Sequence, residues 1–202
     1  MFTYVIKYYD KLLGALAEHL LLVFLTLVFS LILAAALTVL CVCVKRVEAA
    51  LIGACSMIYS IPSIALFAML IPLTGLGKTT AVIVLTLYNQ YLLLRNFLTG
   101  LHEVDRGITE AAAGMGMTTG QTLVYVQLPL AKEAIFSGIR LAAVSTVGIA
   151  TIAASVNAGG LGSILFDGLR TMNMSKILWG SILSAGLALV LDRALSAAGR
   201  RF

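Results

Sequence analysis

The sequence predicts an all-α membrane protein with about five transmembrane helices, the second of them broken by a proline. Of the 202 residues, 60% are hydrophobic and 11% are charged, and the mean hydropathy is +1.03. Soluble domains carry about 45–50% apolar and about 25% charged residues. Because one membrane-spanning helix takes about 20 residues, the chain has room for a single transmembrane domain over residues 1–202 and for no soluble catalytic or ATP-binding domain.

Five apolar segments account for the predicted spans. They cover residues of about 20–44, 49–73, 80–95, 135–156 and 177–191. The first is free of charged residues and is followed at once by Lys45 and Arg46. The fourth is rich in small residues, among them Ser145 and Thr151, which allow helices to approach closely in lipid. We therefore expect the fourth span inside a bundle or beside a pore.

The second and third spans carry the residues that depart most from a simple apolar helix. Ser60, Pro62 and Ser63 interrupt the second span, and a proline there frees a carbonyl that neighbours must satisfy. The segment is either one kinked span or two half-helices, and unwound backbone within a bundle often lines a transport pathway. Asn89 and Gln90 would be costly facing lipid and are expected to face another helix or the interface. The candidate pathway residues are Ser60, Pro62, Ser63, Asn89, Gln90, Ser145, Thr151 and Asn157.

A loop of about residues 103–130, which is more polar than the segments around it, separates the third and fourth spans. Asp105 is suited to capping a short helix through its carboxylate. Gly114 and Gly116 are expected to stop that helix, because glycine turns the backbone without Cβ strain. Thr118 and Gln121, three residues apart, form a capping-box pattern for a second helix. The loop therefore predicts a helix, a glycine turn and a helix with a surface of small residues, which suits docking to another protein.

The residues of this loop carry a resemblance to a known family. The loop contains Glu110-Ala111-Ala112, then Gly116 after three further residues and Val126 after nine more. Leu128-Pro129 follow after one more residue. The stretch resembles the EAA loop of ABC-importer permeases, with Val126 where isoleucine is usual. Pro129, which lacks a backbone donor, is also expected to end or bend the second helix.

The resemblance implies a MetI-like ABC permease fold with a cytoplasmic coupling helix. In that family the loop sits in a cleft of the ATP-hydrolysing subunit. The residues that this assigns to ATPase coupling are Glu110, Ala111, Ala112, Gly114, Gly116, Leu128 and Pro129.

A glycine-rich turn after the fourth span extends the resemblance. Gly159, Gly160 and Gly162 belong to a flexible structural turn, and the surrounding sequence has no GxxxxGK[ST] pattern for nucleotide binding. A GGLG turn at this point resembles the osmoprotectant branch of these permeases. That implies import of a small quaternary-ammonium solute such as glycine betaine, choline or carnitine. The alternatives are a permease for methionine or another amino acid, and a stand-alone channel or secondary carrier.

The resemblance also implies a set of partners in the cell membrane. They are two ABC ATPase subunits that bind ATP and Mg²⁺, a second permease subunit that is identical or paralogous, and an extracytoplasmic substrate-binding protein. The chain itself would hold no cofactor and no metal ion. It would be a multi-pass, non-catalytic transport subunit.

The remaining residues argue against other functions. An intramembrane protease needs a nucleophile with its base, or paired aspartates, within its spans; His19 and His102 lie outside the predicted spans and are interpreted as interfacial and loop residues. The cysteines, Cys41, Cys43 and Cys55, lack metal-site spacing and are interpreted as packing thiols. Nucleic-acid binding is disfavoured because the basic residues are scattered.

The basic residues also predict an orientation. With five spans, the EAA loop lies on the same side as the C-terminus, and that side carries nine Lys and Arg residues against five on the other. The positive-inside rule therefore predicts that the EAA loop and the C-terminus are cytoplasmic.

Overall fold

The computed structural model describes residues 2–199, and the regular structure of that range is entirely helical. Ten α-helices follow one another, joined in places by a π-helical turn at Leu123–Gln127 and a 3₁₀ turn at Ala154–Val156. The α-helices are α1 Phe2–Cys43, α2 Lys45–Ser60, α3 Ser63–Thr74, α4 Lys78–His102, α5 Arg106–Gly114, α6 Thr119–Thr122, α7 Leu128–Leu130, α8 Lys132–Ala153, α9 Leu161–Arg170 and α10 Met174–Gly199.

The bundle is built around α4. This helix packs against α1, α2, α3 and α8, while α10 packs on α8 and α9. Phe67, Leu85, Leu93 and Val147 are fully buried where these helices meet. Helices α1, α4, α8 and α10 are long and apolar enough to cross a membrane, and the outer face of α1 exposes large apolar side chains such as Phe24 and Ile32. Such a surface is suited to lipid or to another transmembrane subunit.

Helices α2 and α3 together form one further crossing, which is the second along the chain. The two helices are bent by 99° relative to each other. At the start of α2, the Glu48 carboxylate lies 3.4 Å from Nε2 of His102, at the end of α4. At the end of α3, the hydroxyl of Thr74 bonds to the hydroxyl of Thr80, near the start of α4, with 2.6 Å between the two oxygens. The pair therefore runs from one end of α4 to the other, as a single broken span does, and does not return to its starting side. The predicted architecture of about five spans with a broken second one is confirmed.

The helices extend beyond the apolar segments that predict them. The third apolar segment ends near residue 95, whereas α4 continues to His102, and the fifth begins near residue 177, whereas α10 begins at Met174. The first apolar segment begins near residue 20, but α1 already begins at Phe2, with a kink at Tyr8 where φ is −125°. Hydropathy marks the part of a helix that lipid surrounds, and backbone hydrogen bonding continues past it into the polar layer.

An ion cluster closes the short connection between α9 and α10. Asp167 accepts from Nζ of Lys176 at 2.6 Å and from Nη2 of Arg170 at 3.0 Å. These hydrogen bonds from Lys176, and then from Arg170, hold the pKa of the Asp167 carboxyl below its usual value of 3.8. The folded chain therefore favours the ionised carboxylate more than the unfolded chain does.

Replacing Asp167 with asparagine is expected to lower the melting temperature at pH 7 by a modest amount. Because the folded-state pKa is depressed, the stabilisation is fully present above the unfolded-state value and is lost as the pH falls through the folded-state pKa. The difference between D167N and the parent protein should therefore shrink below about pH 4. Thermal unfolding in detergent at several pH values measures this. The control D10N removes an exposed carboxylate of α1 and should show little change; equal melting temperatures of D167N and parent at pH 7 would contradict the prediction.

Candidate functional site

The EAA-type loop folds into a compact element between α4 and α8. Asp105 caps α5, with Oδ1 accepting from the backbone N–H of Gly107 at 2.7 Å and of Ile108 at 3.3 Å. An isolated helix of nine residues is marginal in water. The cap and the burial of Ala112 against the rest of the element therefore provide much of what holds α5 in place. The predicted N-cap is confirmed.

Helix α5 turns most of its surface outward. Glu110, Ala111 and Gly114 are exposed, whereas Ala112 is buried. Large apolar side chains are exposed on the same element, including Met115 at 74% and Tyr125 at 70%. Apolar groups clustered on one exposed element indicate a surface that a partner covers. The motif spacing did not point to Met115 or Tyr125. Both are bulky apolar residues within a polar loop, and that contrast is the signal that could have identified them.

Gly116 makes the turn between the two helical parts of the element. Its φ is +87°, in the left-handed region that favours glycine. The backbone N–H of Gly116 donates to the carbonyl of Ala113 at 2.9 Å, and that of Met117 donates to the carbonyl of Ala112 at 3.1 Å. These bonds close the C-terminus of α5, as expected of a glycine there.

The second part of the element begins at the predicted capping box. The Thr118 hydroxyl accepts from the Gln121 N–H at 3.3 Å, and the Gln121 side chain accepts from the Thr118 N–H at 2.9 Å. The predicted second helix is irregular, because α6 passes into the π-turn before α7. The helical path ends one residue after Pro129, at Leu130. In the π-turn the Leu128 N–H bonds to the carbonyl of Leu123, and the wider turn accommodates a proline that has no donor of its own.

Asn89 and Gln90 lie inside the bundle. Asn89 is 1% exposed, and its Nδ2 donates to Oγ of Ser30 at 3.1 Å and to Oγ1 of Thr146 at 2.9 Å. Nε2 of Gln90 donates to the carbonyls of Ser30 and Thr86 at 3.3 and 3.0 Å. Of the two expected surroundings, another helix or the interface, the structure shows another helix, and in this conformation the amides tie α4 to α1 and α8. Their assignment to the pathway stays a prediction.

The break in the second span presents polar groups at the surface. Ser60 and Pro62 are exposed and Ser63 is half-buried. The Ser60 hydroxyl donates to the Ser56 carbonyl at 2.8 Å. The first turn of α3 has no side-chain cap. The Tyr88 hydroxyl donates to the carbonyl of Ile61, which the break leaves without a helical partner. Tyr88 therefore supports the bend from α4.

The other candidate pathway residues lie on or after α8. Ser145 is half-buried. Thr151 is half-buried and donates to the carbonyl of Val147 at 3.0 Å. Asn157 is exposed and has a φ of +65°, a left-handed conformation that asparagine tolerates. Within residues 2–199, the side-chain hydrogen bonds of Ser60 and Thr151 do not join the bend at Pro62 to α8.

The glycine turn packs onto α1. Gly159 and Gly160 have φ values of +82° and +75°, and the Gly160 N–H donates to Oε2 of Glu18 at 3.1 Å. The same carboxylate pairs with Lys78, with 3.5 Å between Nζ and Oε1. A Cβ on Gly160 would lie 2.9 Å from Nδ1 of His19. The sequence did not identify Glu18 and His19 as the residues that receive this turn.

The structure corrects the interpretation of His19 as an interfacial residue and of His102 as a loop residue. His19 is fully buried, with Nε2 3.2 Å from the carbonyl of Val147 on α8, because the glycine turn covers it. His102 is the last residue of α4 and faces Glu48. Of the cysteines, Cys41 and Cys55 are buried and Cys43 is exposed. Within residues 2–199 no three His, Cys, Asp or Glu side chains are grouped as a metal site requires.

The basic residues divide between the two ends of the bundle. In residues 2–199, seven of them lie in the half of the bundle nearer α5 and α6, and five lie in the other half. Arg200 and Arg201, which also count toward the first end in the sequence, lie outside the described residues. Gly199 packs against Phe136, near the start of α8, so the last described residue lies at the end that carries α5.

Comparison with known proteins places most of the chain in one family. The family described as binding-protein-dependent transport system inner membrane component matches residues 27–202. The Bacillus subtilis glycine betaine/carnitine/choline transport system permease protein OpuCB is 33% identical over 201 residues, covering 100% of this chain and 93% of the relative. The Salmonella typhimurium osmoprotectant import permease protein OsmW is 38% identical over 180 residues, covering 87% and 84%.

A solved structure shares the fold. A chain of the MetNI methionine ABC transporter in an inward-facing conformation superimposes with a TM-score of 0.87 at 23% identity. The match covers 94% of this chain and 95% of that chain. The predicted MetI-like fold is confirmed.

Proposed function

Because the chain belongs to the family of binding-protein-dependent transport system inner membrane components, we propose that it forms the translocation pathway of an ATP-driven importer. The solute is a small quaternary-ammonium osmoprotectant such as glycine betaine, choline or carnitine. The similarity to the Bacillus and Salmonella permeases named above supports this solute class over an amino acid.

The coupling mechanism rests on one observation, which is that α5 is capped and faces outward. It follows α4 after a short connection that ends in the Asp105 cap, and it packs against α6 and the π-turn, which lead through α7 to α8. A force on Glu110, Ala111, Gly114 and the Gly116 turn therefore reaches two central helices of the bundle, with Leu128 and Pro129 at the junction to α8. Small residues let a partner's backbone approach α5 closely, as a cleft in an ATPase requires.

The mechanism is a two-state equilibrium biased by nucleotide. Two ATPase subunits bind and hydrolyse Mg²⁺-ATP, and their closure moves α5 and rocks the spans between inward-facing and outward-facing states. The chain itself is non-catalytic and holds no cofactor. A second permease subunit, identical or paralogous, completes the pathway, and an extracytoplasmic binding protein delivers the solute.

The orientation that suits this mechanism puts α5 and the C-terminus in the cytoplasm. The excess of basic residues at the end that carries α5 supports it through the positive-inside rule. The glycine turn and its Glu18 contact then face the outside, on the side where the binding protein docks. The Ser60–Ser63 break lies between the two ends and belongs to the pathway.

Uptake by the complete transporter tests the proposed solute. We expect liposomes containing this permease, its second permease subunit, its partner ATPase and its binding protein to accumulate labelled glycine betaine, choline or carnitine in the presence of ATP. Labelled methionine serves as the control solute and should not accumulate. Accumulation of methionine together with exclusion of all three quaternary-ammonium solutes would overturn the proposal.

A further inference from the structure

Three tyrosines from two helices meet at the break in the second span. Tyr59 lies one residue before the end of α2, and Tyr88 and Tyr91 lie one turn apart on α4. The ring centroid of Tyr59 is 5.6 Å from that of Tyr88, in an edge-on arrangement, and 5.0 Å from that of Tyr91 at an interplanar angle of 32°. These are distances at which aromatic rings attract one another.

The three rings have different surroundings. Tyr88 is buried and its hydroxyl holds the Ile61 carbonyl, so its place in the structure is to support the bend. Tyr91 receives a hydrogen bond of 2.5 Å from Nη1 of Arg95, whose guanidinium lies 5.8 Å from the ring centroid. Tyr59 is 36% exposed. Among these three rings, Tyr59 offers the largest surface to a molecule outside the chain.

The surface beside Tyr59 includes polar groups and irregular backbone. Ser60 and Pro62 are exposed beside it, and the N–H groups at the start of α3 have no side-chain cap. Irregular backbone at membrane depth is tolerated where it is covered by protein or lines a water-filled cavity. Tyr88 and Tyr91 also lie near the middle of the 25-residue α4, at the depth where transporters commonly bind their solutes.

We propose that Tyr59, backed by Tyr88 and Tyr91, stabilises the quaternary-ammonium head group of the solute by a cation–π contact as the solute passes the bend. This inference rests on the proposed function, which supplies a solute with a quaternary-ammonium group. Trimethylammonium groups bind aromatic ring faces. Arg95 lies one turn beyond Tyr91, toward the end that carries α5. Its guanidinium already contacts Tyr91 and repels a second cation. The contact is therefore weak, as a transported solute requires if it is to leave again.

Substitutions that separate ring electrostatics from size test the contact. In the complete transporter, with binding protein saturating, Tyr59→Phe should keep uptake of glycine betaine near the parent rate. Tyr59→Leu should lower it by about three- to tenfold. A trifluorinated phenylalanine at position 59 keeps the ring but weakens its negative face, and should give an intermediate rate. The control Tyr9→Leu removes an exposed tyrosine of α1 and should leave uptake unchanged.

The outcomes separate this inference from the proposed function. If the parent transporter takes up no quaternary-ammonium solute, the proposed function itself fails. If the parent takes up glycine betaine and the leucine, phenylalanine and trifluorophenylalanine variants all match it, Tyr59 makes no cation–π contact. Loss of uptake in Tyr59→Leu with full uptake in the trifluorophenylalanine variant would also overturn the inference, because size and not ring charge would then matter.

Discussion

Valine in place of Gly116 is expected to reduce ATP-driven uptake by about tenfold while the protein still inserts in the membrane. Gly116 has a φ of +87°, where a Cβ costs about 1–2 kcal/mol and a β-branched side chain more. A Cβ there would meet no neighbouring atom within 4 Å, so the cost is backbone strain and not a collision. Because 1.4 kcal/mol is a factor of about ten in population, the strain shifts the turn out of the conformation that α5 needs for docking.

Two further substitutions make the Gly116 experiment specific. Asparagine tolerates left-handed backbone, so Gly116→Asn should retain most of the uptake. Gly120→Ala places a methyl group in open space on α6 and should leave uptake unchanged. Uptake and co-purification of the ATPase are measured for each variant in the same membranes. If Gly116→Val transports at the parent rate, this turn has no part in coupling.

Alanine in place of Gly162 is expected to destabilise the folded protein by about 1–3 kcal/mol, the usual cost of overpacking. Gly162 lies at the start of α9, where it packs against the end of α8. A Cβ at this position would collide with the Thr151 carbonyl oxygen and lie 2.7 Å from the Cβ of Ala154. Since both obstacles belong to a packed helix end, the two helices must move apart.

Thermal unfolding in detergent and the amount of protein in the membrane measure the Gly162 effect. Gly14→Ala is the matched control, because Gly14 lies inside α1 and a Cβ added to it would meet no atom within 4 Å. Alanine favours a helix over glycine by about 1 kcal/mol, so the control should be neutral or stabilising. Equal melting temperatures for Gly162→Ala and the parent would show that α8 and α9 are less tightly packed than the structure indicates.

Local chemistry in the EAA-type loop was predictable from the sequence. The Asp105 cap and the Thr118–Gln121 capping box involve residues two or three positions apart, so their hydrogen bonds follow from spacing alone. Hydropathy located the apolar part of each span for a similar reason. It did not give helix ends such as His102, because helical hydrogen bonding does not stop where the apolar side chains do.

Contacts between distant segments were not predictable. The sequence indicated that Asn89 needs a partner inside the bundle, but the partners Ser30 and Thr146 come from two other helices. The same holds for Glu18, which bonds to Gly160 across 142 positions. The meeting of Tyr59 with the tyrosines of α4 depends on the 99° bend between α2 and α3, and a single proline in the sequence does not determine that angle.

The central claim is that this chain is a passive gate moved through α5 by a separate ATPase. The most direct test compares solute uptake into liposomes that contain the permease and binding protein with and without the partner ATPase. We predict uptake against a concentration gradient only when the ATPase and ATP are both present. Solute flux through the permease that persists at the same rate without the ATPase would contradict the claim.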